Sequence, residues 1–427
     1  MNAALGSADR DAVREAAFAQ GRVYALHAGS GGTFALDGSL RVAPSTDPAG
    51  LLLLRLTSML LTCGTRRRDE FGFAAQLEDR GASLWIDAEP GRIAFSASAR
   101  SADLPTIVAL LAECLREPRF SADAFHAARM RMIAELRALS ADPAALAMQG
   151  LTRLLYPPSH LRHEPAPADA IALLENVALD DVRRCHREHF GANALRIAVA
   201  GDIEAEVLAG EAARAFAGWT ASPPSSPTAA IDDAATTMQT GLRIPAPDGG
   251  HFAVALGHRL SPRCDHPDYA ALWLANRVLG AGFASRLVVA LRERRGLTYS
   301  IRSQLSKPDP GFDGHWQVGL SLGAEMLEAG LAATRAEIAR FVEGGVDAHE
   351  LEICRREAIG AFRIGLATLS GLSETLLFGA ECGWGAHYAQ AFPQHLQAID
   401  RDRIQRVVAE HLRPDQLRTA IAGPFEA

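Results

Sequence analysis

The chain repeats itself over a distance that only a duplicated domain explains. Leu179–Gly201 aligns without a gap with Arg401–Gly423, at a constant offset of 222 residues. Asp180, Arg184, Glu188, His189, Leu195, Arg196, Ala198, Ala200 and Gly201 recur as identical residues. Each copy reads as an Asp N-cap, a helix, a polar turn and an alternating strand ending in Ala-Gly. The period is far too long for a solenoid, so the 427-residue chain is expected to hold two similar α+β lobes.

The boundary falls between the copies. Residues 221–237 are rich in Pro, Ser and Ala without periodicity, as in a linker, leaving lobes at 1–220 and 238–427. In the first lobe, 82–87 and 92–99 read as a hairpin turned by Glu89-Pro90-Gly91, and 104–115 and 122–139 as helices. In the second, 251–257 and 315–322 read as strands, and 267–279, 324–343 and 348–367 as helices.

A formal charge of −7 and the lack of a long basic run argue against nucleic acid as a partner. The apolar run 51–61 is too short to span a bilayer and is interrupted by Arg55, so no membrane association is expected. The N-terminus has no basic region followed by an apolar one. A soluble chain is expected, its compartment unknown: cytoplasmic, or periplasmic if an export signal was removed. The six Cys form no C-x-x-C pair and read as buried thiols.

The most informative segment is Gly280–Ser300. It reads as a glycine turn, a short amphipathic helix with Arg292 near its end, a stop at Gly296, and an extended run from Leu297 carrying Tyr299. A cation and a phenol on either side of such a turn could grip a carbonyl or an oxyanion. The alternative is a basic helix end complementing its own dipole. The glycines here lack the third Gly and the Lys-Ser/Thr of nucleotide loops. Cys185, Glu188 and His189 have the spacing of metal ligands, but the second copy keeps Glu410 and His411 while replacing Cys185 with Val407. The pair is therefore read as structural in both copies. His160 and His163 lie in a Pro-rich stretch and read as a solvated loop. No Ser or Cys nucleophile stands out.

Gly280–Ser300 resembles the Gly-rich turn, R-L-x-x-x-L-R-E helix and G-L-x-Y-S strand of the pitrilysin family, which includes insulin-degrading enzyme and the mitochondrial processing peptidase. His266-Pro-Asp-Tyr269, Gly344–Leu351, Gly64-Thr65, Asp142-Pro143 and Ala200-Gly-Asp202 are similar to other family segments, so the resemblance spans nearly the whole chain. It implies an α+β fold of two duplicated lobes, each a mixed, mainly antiparallel sheet with helices packed on it, together forming half of a clamshell. It also implies an inverted zinc motif, H-x-x-E-H, just before Gly64-Thr65. Those positions hold Arg55, Ser58 and Met59. The third ligand falls on Glu135, and an accompanying Glu falls on Ala128. One metal ligand of three remains and the general base is gone, so no metal and no cofactor are expected in this chain, and no hydrolysis by it alone.

By the same resemblance Arg292 and Tyr299 match an Arg/Tyr pair that acts on substrate, and they are intact. The resemblance therefore implies the zinc-less subunit of a heterodimeric metallopeptidase. A homologous partner would bring zinc and the base, with peptides as substrates. The substrate-binding edge strand should fall near 81–88, where Trp85 replaces the family's usual Asn. The other reading is a catalytically inert structural or peptide-binding protein of the same fold.

Overall fold

In the computed structural model the described residues are 13–425 without 43–48, 193, 222–238, 247–249, 283, 308, 310 and 386. Beyond its first residue the expected linker lies outside them. The elements of the first half are β1 (Arg14–Phe18), β2 (Gly21–His27), β3 (Thr33–Arg41), α1 (Gly50–Leu61), α2 (Glu70–Glu78), β4 (Ser83–Glu89) and β5 (Arg92–Arg100). There follow α3 (Leu104–Arg116), α4 (Ala122–Leu139), α5 (Pro143–Leu155), α6 (Pro167–Glu175), α7 (Leu179–His189), β6 (Leu195–Gly201) and α8 (Ala205–Ala215). The second half has β7 (Gly241–Pro245), β8 (His251–Leu260), α9 (Tyr269–Asn276), β9 (Ile301–Leu305), β10 (Gly314–Gly323), α10 (Leu327–Gly344) and α11 (Ala348–Gly365). It closes with α12 (Leu369–Glu381), α13 (Tyr388–Ala398), α14 (Arg401–His411) and β11 (Arg418–Gly423).

The duplication is visible in the sheets. One runs β1-β2-β6-β3-β5-β4 and the other β7-β11-β8-β10-β9. Removing β1 leaves the same order and the same directions: a parallel pair first, β2 with β6 and β7 with β11, then antiparallel neighbours throughout. The architecture is the expected α+β, with two mixed sheets carrying helices. The repeated helices α7 and α14 share their expected ends, but the capping differs. Asp400 caps α14 by accepting from the Arg403 amide, whereas Ala178 caps α7 and Asp181 reaches back to its amide at 2.9 Å. Asp180 and Asp402 lie inside their helices.

The two compact units exchange segments between the sequence halves. One comprises 1–134, 170–231 and 365–389; the other comprises 135–169, 232–364 and 390–427. Small residues make this possible. Ala420 and Ala422 pair with Ala255 and Ala253 on neighbouring strands, and α5 lays Leu146, Ala147, Leu151 and Leu154 on that shallow face. Gly150 comes so close that an added Cβ would lie 2.6 Å from Ile244. In the other unit α12 packs Leu376 and Leu377 on Tyr24 and Ala198. Its buried Glu381 accepts from Ser39 Oγ and pairs with Arg92, so the burial of a charge is compensated.

Two expectations are corrected here. Cys63, Cys114, Cys185 and Cys354 are free thiols, whereas neither Cys264 nor Cys382 is. His160 is buried rather than solvated, stacked on Tyr156 with ring centroids 4.2 Å apart, because the Pro-rich segment folds back onto the second sheet. Burial, with Arg259 and Arg162 nearby, lowers its pKa to about 3. Among the described residues no helix is long and apolar enough to cross a membrane.

Candidate functional site

The segment from Gly280 to Ser300 is built to present two side chains. After α9 the chain makes a π-helical turn, Arg277–Ala281, that ends the expected helix early. Gly280 sits against β9, where a Cβ would lie 2.6 Å from that of Ser303, so only glycine fits. Beneath it the Ser303 hydroxyl donates to Asn276 Oδ1 (2.6 Å) and accepts from Trp316 Nε1 (2.8 Å), pinning β9 to the core. The next helical segment begins with Arg286, held in a two-pronged ion pair to Glu350 at 2.6 and 2.7 Å. Leu287 and Leu291 are fully buried below it.

Val288–Glu293 is a second π-helical turn, and Gly296 ends it in the left-handed region at φ 60°. Here the expected stop is found. The extended strand begins at Ile301, not Leu297, because Thr298 is buried and its hydroxyl occupies the turn. It donates to the Ser321 carbonyl at 2.6 Å and accepts from the Ser300 amide at 3.2 Å. The Ser321 amide in turn donates to the Ser300 carbonyl at 3.0 Å. The backbone on both sides of Tyr299 is thus fixed, while Tyr299 itself is 82% exposed. The Arg292 guanidinium lies over its ring, 4.8 Å from the centroid. The two residues singled out in the sequence are brought together as a stacked pair on a rigid turn. Thr298 was missed there, since a Thr before an exposed Tyr carries no signal by itself.

The corresponding positions of the first half hold other side chains. Arg55 and Met59 are half-buried on α1, and Ser58 is fully buried with no hydrogen-bond partner for Oγ. A guanidinium, an inward hydroxyl and a thioether are not zinc donors, so these residues do not fit the metal of the inverted motif. Glu135 is exposed on α4, and Ala128 is buried in the same helix. Cys185 is buried beside the Thr57 hydroxyl, and burial raises its thiol to about 11, whereas Glu188 is exposed. That trio is not among the converging ligand groups of the described residues. Trp85 stands on β4, an edge strand, and is 73% exposed.

The described residues thus form duplicated mixed sheets with helices, with Arg55, Ser58 and Met59 on α1 and Arg292 stacked on Tyr299 after α9. Comparisons with known proteins identify the family. The family description "Insulinase (Peptidase family M16)" matches residues 56–162, and "Peptidase M16 inactive domain" matches 176–357. The chain belongs to the M16 peptidase family. A non-peptidase homolog, YmxG of Helicobacter pylori, is 23% identical over 88% of this chain and 86% of that one. An uncharacterized zinc protease of Streptomyces coelicolor is 23% identical over 81% of this chain and 77% of its own. The crystal structure of a peptidase M16 inactive domain from Pseudomonas fluorescens superposes with a TM-score of 0.86 at 25% identity, covering 97% of this chain and 98% of that one.

Proposed function

We propose that this chain is the non-metal subunit of a heterodimeric peptidase, giving Arg292 and Tyr299 to a site completed by a homologous H-x-x-E-H subunit. The observation that carries this reading is the preserved, pre-organised Arg292–Tyr299 pair in a chain whose α1 has Arg55, Ser58 and Met59 in place of ligands and base. The partner would supply the metal and the water-activating Glu. On this chain, the Tyr299 hydroxyl donates a hydrogen bond to the scissile carbonyl as its oxygen gains negative charge. Arg292, braced against the Tyr299 ring, holds that phenol in place and offers its N–H groups to the peptide backbone. The exposed edge of β4 is suited to bind an extended peptide as an added strand, with Trp85 contacting its side chains.

The test is a mixture of this chain with a co-encoded H-x-x-E-H homologue, assayed on an unstructured peptide. Tyr299→Phe and Arg292→Ala should each reduce cleavage without preventing assembly. If both leave the rate of the mixture unchanged, the inert peptide-binding reading replaces this one. The name of the Helicobacter relative, a non-peptidase homolog, favours that second reading for a chain without a partner.

A further inference from the structure

Three metal-ligating side chains converge in the second unit, away from the inverted motif. His266 and Asp268 stand just before α9, and His411 is the last residue of α14. Their donor atoms lie within 4.8 Å of one another. Asp268 Oδ2 is the common point, 2.9 Å from His411 Nε2 and 3.8 Å from His266 Nδ1. The other carboxylate oxygen is occupied by Arg403. Asp268 is buried, His411 is mostly buried, and His266 faces solvent.

We infer that His266, Asp268 and His411 form a binding site for a zinc-class divalent cation that clips the start of α9 to the end of α14. Zinc–nitrogen and zinc–oxygen bonds of about 2.0–2.2 Å place tetrahedral donors about 3.4 Å apart. The observed 2.9 and 3.8 Å bracket that value, and with all donor atoms within 4.8 Å the two imidazoles need to close on each other by at most about 1.4 Å. Binding replaces the His411 proton now shared with Asp268, and it costs the weak hydrogen bond from the Asp268 amide to His266 Nδ1 (3.1 Å). Arg403 on Oδ1 leaves Oδ2 as a single, oriented ligand, the role a hydrogen-bonded neighbour plays at metal carboxylates. Its positive charge opposes the cation, but it does not block Oδ2. The exposed side of His266 leaves the fourth position to water. Ion pairing alone accounts for Asp268 with Arg403 and His411; without a cation, the second imidazole accepts only from the Asp268 amide and packs edge-on against His411.

The experiment uses the full chain, stripped with a chelator and titrated with Co(II), whose visible absorption reports tetrahedral nitrogen and oxygen ligation. One Co(II) per chain, displaced by Zn(II), is expected. His266→Ala and His411→Ala should each weaken binding by about 100-fold or more, and saturating Zn(II) should raise Tm by about 5 °C in the unsubstituted chain only. His266 is exposed, so its Ala variant should fold normally; circular dichroism checks this. No stoichiometric Co(II) uptake, or uptake and a Tm gain that survive His266→Ala, would overturn the site and leave the cluster as ion pairing. None of these readouts depends on peptide cleavage, so this site and the proposed subunit role stand or fall separately.

Discussion

The two sheets have one strand order, yet what each places between its third strand and its edge strand differs. In the first unit β3 leads through α1 and α2 to β4; in the second, β8 leads through α9 and two π-helical turns to β9. Both connections finish on a left-handed glycine, Gly81 at φ 59° and Gly296 at φ 60°. The scaffold is common to both; the chemistry is not. On α1 the polar positions are turned inward, with Thr57 donating to the Leu53 carbonyl at 2.7 Å and Ser58 buried. Beyond α9 the π turns, a local irregularity frequent at functional sites, swing Arg292 and Tyr299 outward. The first connection buries Thr57 and Ser58 in the core, whereas the second presents Tyr299 at the surface.

Four experiments sharpen or break that contrast. The largest effect is expected at Tyr299. In a mixture with the metal-bearing subunit, Tyr299→Phe should lower kcat by about 100- to 1,000-fold, as for loss of an oxyanion donor. The isolated chain's Tm should not move, because the side chain is exposed. Second, Ser58→Glu should destabilise the chain by about 3 kcal/mol in urea melts, since a carboxylate would enter a buried position without a partner. A neutral result there would show that α1 still has room for a metal site.

The third prediction concerns pH. Burial, then the charge of Arg162, lowers the His315 pKa to about 4 from the ordinary 6.5. As pH falls from 6.5, the unfolded chain takes up a proton that the folded chain refuses until about pH 4. Stability should therefore decline across that window by on the order of 3 kcal/mol for this residue. His315→Gln should flatten the slope measured in urea melts at successive pH values, and an unchanged slope would remove His315 from the account. The smallest effect is at Gly296. No atom would meet a Cβ there, so Gly296→Ala should cost only the left-handed backbone strain, about 1 kcal/mol. Because it tilts the turn that carries Tyr299, it should lower cleavage by the mixture more than it lowers Tm.

The duplication, the α4 boundaries and the Arg292/Tyr299 pair were legible because each rests on local pattern: recurring identities, an apolar stripe, a glycine stop. The exchange of α5 and α12 between the units was not. Which sheet a helix covers depends on the match between its face and strands far away in sequence, here the small-residue face of Ala253, Ala255, Ala420 and Ala422. His160 was misread for the same reason, since Pro-rich sequence reports a turn and not what the turn folds against. His266, Asp268 and His411 are separated by more than half a lobe, and only the packing of α9 beside α14 makes them neighbours.

The central claim is that this chain holds half of an active site, and the most direct measurement is its turnover of an unstructured peptide with and without the H-x-x-E-H homologue. The account predicts no cleavage above background by the isolated chain, even with added Zn(II), and cleavage in the mixture above that of the homologue alone. Chelator-sensitive turnover by the isolated chain, retained in a His266→Ala variant, would contradict it.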